Sequence, residues 1–243
     1  MEELVEIARW SPLTGLIERH LDRTGCLLEA GCGLGQYVLL LRARGVRAVG
    51  TDWSFEAVRK GARAGGPLAV MDLRALGVRA GSVSTYLSLG VVEHDPEGPD
   101  AIIREAARVL RPGGTLLISV PYWNGVRRMF GPYLVRSGAR TAANGGQFYQ
   151  YAFSRREVRA FLGAHGFTVR SFHPYDPARL LRTARRALVR SSTPSAGQTP
   201  LEQRAARRSE RRGLPVRALR ALLYTPPSLR LLGHMILAVA ERA

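Results

Sequence analysis

One stretch limits what this chain can fold into more than any other: Leu27-Leu28-Glu29-Ala30-Gly31-Cys32-Gly33-Leu34-Gly35. Residues 26–30 read as a short buried strand and residues 36–44 as a helix, with Gly31, Gly33 and Gly35 turning the backbone tightly between them. A strand, a glycine turn and a helix make a nucleotide-type cradle. Glycine tolerates positive φ, and without a Cβ it lets a ligand come close to the backbone. The spacing is G-x-G-x-G rather than the dinucleotide G-x-G-x-x-G, because position 36 is Gln. An acid, Glu29, stands two residues before the first glycine.

Further strands are expected at 46–50, 68–71, 83–89, 116–120, 167–172 and 234–240, with helices at 55–64, 99–110 and 154–165. Strands alternating with helices at this spacing imply a mostly parallel sheet covered on both faces, and ligands bind such sheets beyond the C-terminal strand ends. Glu29, Asp52, Asp72 and His94 all fall at those ends. Asp52, at the tip of the second strand, is placed to accept hydrogen bonds from both hydroxyls of a ribose, as in dinucleotide folds. The competing role is a helix N-cap, which Ser54 could share.

The glycine loop with Glu29 resembles the cofactor loop of class I S-adenosyl-L-methionine (SAM)-dependent methyltransferases. Three further runs resemble the methyltransferase type 11 group: Ser88-Leu89-Gly90-Val91-Val92-Glu93-His94, Ala107-Arg108-Val109-Leu110-Arg111-Pro112-Gly113-Gly114, and Phe153-Ser154-Arg155-Arg156-Glu157 through Gly166-Phe167. The resemblance spans residues 26 to 170 and the last strand. It implies a Rossmann-like sheet of seven strands with the last one reversed, and SAM as cofactor. The cofactor residues it implies are Glu29, Gly31, Cys32, Gly33, Gly35, Asp52, Trp53, Asp72, Leu73, Leu89 and Gly90. The Gly31–Gly35 loop would hold the methionine end, with the following helix N-terminus favouring its carboxylate. Asp52 would hold the ribose, and the backbone at Leu89-Gly90 would approach the methionyl moiety. Asp72 would face the adenine amine, or serve only as a loop-capping acid.

Methyl transfer from a sulfonium expels a neutral thioether, so catalysis rests on holding acceptor and methyl in line with water excluded. For a hydroxyl acceptor a base helps, and His94 is the candidate, against a structural role for its ring. Glu93 and His94 match a metal pair of some quinone O-methyltransferases, but no further ligand clusters with them in the sequence, and no metal is expected. The acceptor expected is a small molecule or a lipid-like one, methylated on O or N.

The chain reads as one domain over residues 1–243, with an N-terminal helical cap (1–24), a lid insertion after the fifth strand (121–147) and a basic helical insertion before the last strand (173–232). Within the cap, Trp10 is expected to pack the first helix onto the sheet, with a place over the cofactor as the alternative. Residues 122–153 hold eight of the 18 aromatics, which suggests a lid over a substrate pocket, or else a small satellite core. Tyr122, Trp123, Tyr149 and Tyr151 are the substrate candidates from it.

The formal net charge is +17, and residues 173–232 carry 13 Arg against Asp176, Glu202 and Glu210. That excess could serve an anionic partner or a membrane surface. A nucleic-acid substrate is not expected, since neither an Asn/Asp-Pro-Pro-aromatic run after the fourth strand nor a Pro-Cys pair occurs. Two alternative readings use the basic insertion: a binding or assembly protein built on the SAM fold, and an RNA-directed methyltransferase. Two cysteines, Cys26 and Cys32, form no disulfide framework, and Met1-Glu2-Glu3 opens no signal-peptide pattern. A cytoplasmic location is therefore expected, with peripheral membrane association as the variant the charge allows.

Overall fold

A computed structural model describes residues 2–129, 151–177 and 221–243. Its centre is a seven-stranded sheet whose spatial order is β3-β2-β1-β4-β5-β7-β6. The strands are β1 (Leu27–Ala30), β2 (Ala48–Asp52), β3 (Leu68–Val70), β4 (Val83–Leu89), β5 (Leu110–Pro121), β6 (Phe167–Tyr175) and β7 (Met235–Arg242). The pairs β1–β2, β1–β4, β2–β3 and β4–β5 are parallel, while β7 runs antiparallel to both β5 and β6. The expected reversed last strand is therefore present, lying between β5 and β6.

The sheet forms because its central strands are apolar on both faces, as a parallel sheet under two helical layers requires. Successive residues point to opposite sides. Leu28, Tyr86, Leu116 and Ala238 enter one core; Leu27, Leu87, Leu117 and Leu237 enter the other. The first core is closed by α5 (Asp100–Val109), whose Ile102, Ile103, Ala106 and Val109 share a face, and by α7 (Arg155–Ala164) through Val158 and Leu162. The second is closed by α2 (Thr14–His20) through Ile17 and by α3 (Gln36–Ala43) through Val38 and Leu41. Each fully buried leucine contributes about 1.5–3 kcal/mol, so these two seams carry most of the fold's apolar stabilisation. α1 (Glu2–Arg9) and α2 are tied down by polar contacts as well. Thr14 Oγ1 donates to the Ala8 carbonyl at 2.6 Å, and the Tyr37 hydroxyl of α3 donates to Ser11 Oγ at 2.6 Å.

Several expectations need correcting. Trp10 does not pack onto the sheet: it is 68% exposed, with its indole N–H on Glu6 at 2.7 Å. β5 begins at Leu110, not at residue 116, because Leu110 pairs with Val83 before an irregularity at the glycine turn. β6 continues to Tyr175, its outer end paired with Met235 of β7, so the basic insertion starts later than residue 173. A helix that includes residues 221–223 stops before Thr225, and Pro226 and Pro227 open the next one, α8 (Pro226–Leu232), where their missing N–H groups cost nothing in the first turn. Of the lid insertion, Gly125–Met129 forms a short helix, α6. Residues 130–150 and 178–220, which hold Tyr149 and most of both insertions, lie outside the described residues.

Candidate active site

The glycine loop joins β1 to α3 at the C-terminal edge of the sheet. All three glycines take positive φ: Gly31 at 77°, Gly33 at 53° and Gly35 at 70°. Their surroundings differ. A Cβ on Gly31 would stand 2.3 Å from Val91 Cγ2, and one on Gly35 2.9 Å from Leu68. A Cβ on Gly33 would meet nothing within 4 Å. Gly31 and Gly35 are thus needed for packing, while Gly33 presents bare backbone to open space. That is the cradle a close-approaching cofactor requires. The loop is held from below by the Gly31 and Cys32 N–H groups, which both donate to the Thr51 carbonyl, at 2.8 and 3.0 Å. The Cys32 side chain points down into the second core, where burial pushes its thiol up to about 12. The thiol is thus a packing group, and what Cys32 offers at the loop is its backbone.

Asp52, at the end of β2, accepts the Gly33 N–H through Oδ2 at 2.8 Å and the Ser54 N–H through Oδ1 at 2.9 Å. Ser54 itself caps α4 (Phe55–Arg63) by accepting the Ala57 N–H. The capping duty weighed for Asp52 therefore falls to Ser54. The Asp52 carboxylate is set beside Gly33, with lone pairs left for an incoming hydroxyl.

Glu29 is buried, and its Oε2 accepts the Val38 N–H of α3 at 3.1 Å. A carboxyl of the chain's own therefore already occupies the helix N-terminus expected to receive the cofactor's carboxylate. Burial, with the Asp52 charge adding to it, pushes Glu29 up to about 8. At neutral pH Glu29 is thus protonated, which leaves the positive end of the helix dipole uncompensated.

At the neighbouring strand ends, Trp53 is 85% exposed beside the loop. Asp72 is exposed too, and Arg74 clamps both its oxygens at 2.8–3.2 Å, holding the carboxyl below its usual range. Any adenine contact by Asp72 competes with that clamp. Leu73 turns into the first core rather than toward the site.

The end of β4 forms the second wall. Leu89 packs against the second core, and Gly90 (φ 72°) donates its N–H to the Ser119 carbonyl at the end of β5. A 3-10 turn, Val92–His94, follows. Glu93 in it is buried, its Oε2 has no hydrogen-bond partner, and burial pushes it up to about 7. The Glu93 carbonyl accepts the Tyr151 N–H at 2.9 Å, and the Tyr151 hydroxyl donates to the Pro96 carbonyl at 2.9 Å. Tyr151 is thus laced to the mouth of β4 beside His94, which is exposed. Tyr122 and Trp123 follow β5 directly and line a cavity with Arg128, Ser154, Arg155 and Arg156.

Among the described residues, no group of three His, Cys, Asp or Glu side chains could hold a metal ion, and no helix is long and apolar enough to cross a membrane. The sequence alone raised Glu93 only as half of a metal pair. Its burial depends on the turn after Gly90, which composition does not signal. Of the cavity's arginines, Arg155 and Arg156 entered the sequence reading only inside a family-like run, and Arg128 not at all.

Residues 28–118 match a family model described as a methyltransferase domain. No curated protein matches the sequence. Among solved structures, a SAM-dependent methyltransferase from Methanosarcina mazei is 18% identical, covers 96% of this chain and 97% of its own, and has a TM-score of 0.62. One from Mesorhizobium loti is 15% identical, with 97% and 100% covered and a TM-score of 0.60. A geranyl diphosphate C-methyltransferase from Streptomyces coelicolor, solved with Mg2+, geranyl diphosphate and S-adenosyl-L-homocysteine, is 19% identical, with 94% and 79% covered and a TM-score of 0.60.

Proposed function

We propose that this chain is a class I SAM-dependent methyltransferase, a reading its domain match and its sheet order support, and that it moves the methyl group of SAM to an O or N atom of a small-molecule or lipid-like acceptor. The observation that carries the reading is Gly33. It alone in the loop faces open space, and its N–H is bonded to Asp52 at 2.8 Å, which joins the cradle and the ribose acid into one rigid edge. SAM supplies an electrophilic methyl on a sulfonium. The chain supplies position: the Gly31–Gly35 backbone for the methionine end, Asp52 for the ribose hydroxyls, Trp53 and Asp72 for the adenine side, and Leu89-Gly90 for the methionyl chain.

The acceptor enters past Tyr122, Trp123 and Tyr151. Its proton leaves to one of two groups at the mouth of β4. His94 is the group the sequence pointed to. Glu93 joins it, because a buried carboxyl held near 7 is poised to take a proton at neutral pH. The basic stretch that follows β6, up to residue 232, is assigned to an anionic partner or membrane surface. Salt-sensitive binding to anionic but not neutral liposomes would support that assignment, and equal binding would remove it.

The test of the main reading is transfer from methyl-labelled SAM. Purified protein, a mixed panel of phenols, amines and isoprenoids, and separately RNA, are each assayed for labelled product. Label in an O- or N-methylated small molecule supports the proposal. Label only in RNA, or only on carbon, assigns another acceptor class and overturns it.

A further inference from the structure

Past the end of β5, the C-terminal edge of the sheet carries a cavity of about 320 Å³ lined by Tyr122, Trp123, Arg128, Ser154, Arg155 and Arg156. That volume lies at the low end for small-molecule sites, roughly 300–1,000 Å³. Its charge is the unusual feature. Several arginines elsewhere in the fold find carboxylates, among them Arg59 on Glu56, Arg74 on Asp72, Arg108 on Glu105 and Arg111 on Asp22. Arg128, Arg155 and Arg156 have no such partner among the described residues. Arg155 is held rigidly instead, its guanidinium 5.7 Å from the Tyr122 ring centre and 5.8 Å from that of Phe172, with a buried Nε that bonds to nothing. The nearest acid in the sequence, Glu157, is committed to the capping box at the start of α7, where it accepts the Ser154 N–H at 2.7 Å. Three like charges gathered round one hollow repel each other until an anion arrives.

The topology puts this hollow within reach of the reaction. β5 and β6 both run against β7, so they run the same way, and α7 returns from their shared C-terminal edge to the start of β6. Tyr122, one residue past β5, bridges in parallel to Phe153. Tyr151, bonded to the Glu93 carbonyl, lies three residues before Ser154. That stretch spans at most roughly 11 Å of extended chain. An anion in the hollow thus sits a short molecule's length from the mouth of β4.

We propose that this cavity is a phosphoryl anchor: it binds a phosphate or diphosphate group of the acceptor, whose apolar body lies over Tyr122 and Trp123 toward Glu93. Planar guanidinium forks suit phosphate oxygens, and the Arg155 fork is pre-organised by its two rings. The proposal rests on the methyl-transfer reading and narrows its acceptor to phosphorylated small molecules.

The experiment is calorimetric titration of inorganic pyrophosphate into the full chain at fixed ionic strength. It compares wild type, Arg128→Gln/Arg156→Gln, and the distant control Arg63→Gln/Arg79→Gln, with S-adenosyl-L-homocysteine titrated into each. The account predicts saturable pyrophosphate binding, weakened at least tenfold in the cavity variant and unchanged in the control, while homocysteine-adduct binding is the same in all three. Absence of pyrophosphate binding, or equal weakening in both variants, overturns the anchor while leaving the methyltransferase reading intact. Failure of S-adenosyl-L-homocysteine to bind wild type removes the reading on which the anchor rests. A final arm offers a prenyl diphosphate and its free alcohol as acceptors. Pyrophosphate binding with label transfer to the alcohol alone would make the site a free-anion site and refute the acceptor role.

Discussion

Glu29→Gln isolates the largest electrostatic cost built into the site. The side chain is buried at 5% exposure, and its one oxygen bond, from the Val38 N–H, can be accepted equally by a neutral group. Burial lifts the carboxyl from 4.5 to about 8. In the unfolded chain Glu29 loses its proton near 4.5, while in the fold it keeps it, so the folded state binds more protons throughout that window. Its contribution to stability is therefore full below the unfolded value, declines as pH rises, and levels off above about 8. Each pH unit in the window costs up to about 1.4 kcal/mol, which puts the penalty at roughly 3 kcal/mol at pH 7 and at most roughly 5 kcal/mol above pH 8. Gln keeps the shape and the acceptor oxygen but never ionises. Urea unfolding from pH 4.5 to 9 should show the two proteins equally stable at the acid end. The variant should gain through neutrality by roughly 3 kcal/mol at pH 7, which in thermal unfolding is a Tm difference of roughly 6–12 °C for a chain of this size. A variant destabilised at pH 8, or offset by the same amount at every pH, would mean that the ionised carboxylate is the form the loop needs, and the reasoning would fail.

The other predictions use the same site. Gly31→Ala and Gly33→Ala should each lose about 1–2 kcal/mol from the left-handed backbone. Gly31→Ala should lose more because of the 2.3 Å approach to Val91. Only Gly33→Ala should retain stability near that figure yet weaken S-adenosyl-L-homocysteine binding at least tenfold; unchanged binding would place the cofactor elsewhere. Ser154→Ala breaks the capping box of α7 and should cost about 1 kcal/mol, or roughly 2–4 °C in Tm, measured by thermal unfolding. A neutral result would show that the cap is not formed in solution. Glu93, held near 7, should give the methylation rate a rising limb close to that pH, and Glu93→Gln should remove the limb and lower kcat at least tenfold. A limb that persists in Glu93→Gln and vanishes in His94→Gln would assign the proton transfer to His94.

What could be read from the sequence is what local chemistry decides. The Leu27–Gly35 loop, the acid at Asp52 and the capping box at Ser154 each combine residue types whose backbone demands leave few alternatives. Features decided by what comes to lie opposite a residue were not legible. Trp10 was read as packed because it sits in an amphipathic helix, yet it binds Glu6 in solvent. That the side chains of Cys32 and Leu73 turn inward to the two cores depends on the fold around them. The start of β5 at Leu110 depends on a single pairing to Val83 across a glycine turn that looks like a plain loop. The cavity arginines were hidden for a different reason. In a chain with 36 Lys and Arg, three of them stand out only once the fold gathers them round one cavity.

Thermal unfolding of wild type and Asp52→Asn, each with and without S-adenosyl-L-homocysteine, bears most directly on the central claim that the Gly33–Asp52 edge is the cofactor cradle. Ligand at about 100 times its Kd should add roughly 2.7 kcal/mol to wild type, or about 5–10 °C. Measuring each protein against its own ligand-free midpoint separates ligand binding from the loop support that Asp52 gives through Gly33. The account predicts a shift of that size in wild type, falling below about 2 °C in Asp52→Asn. No shift in wild type, or an equal shift in both, would contradict it.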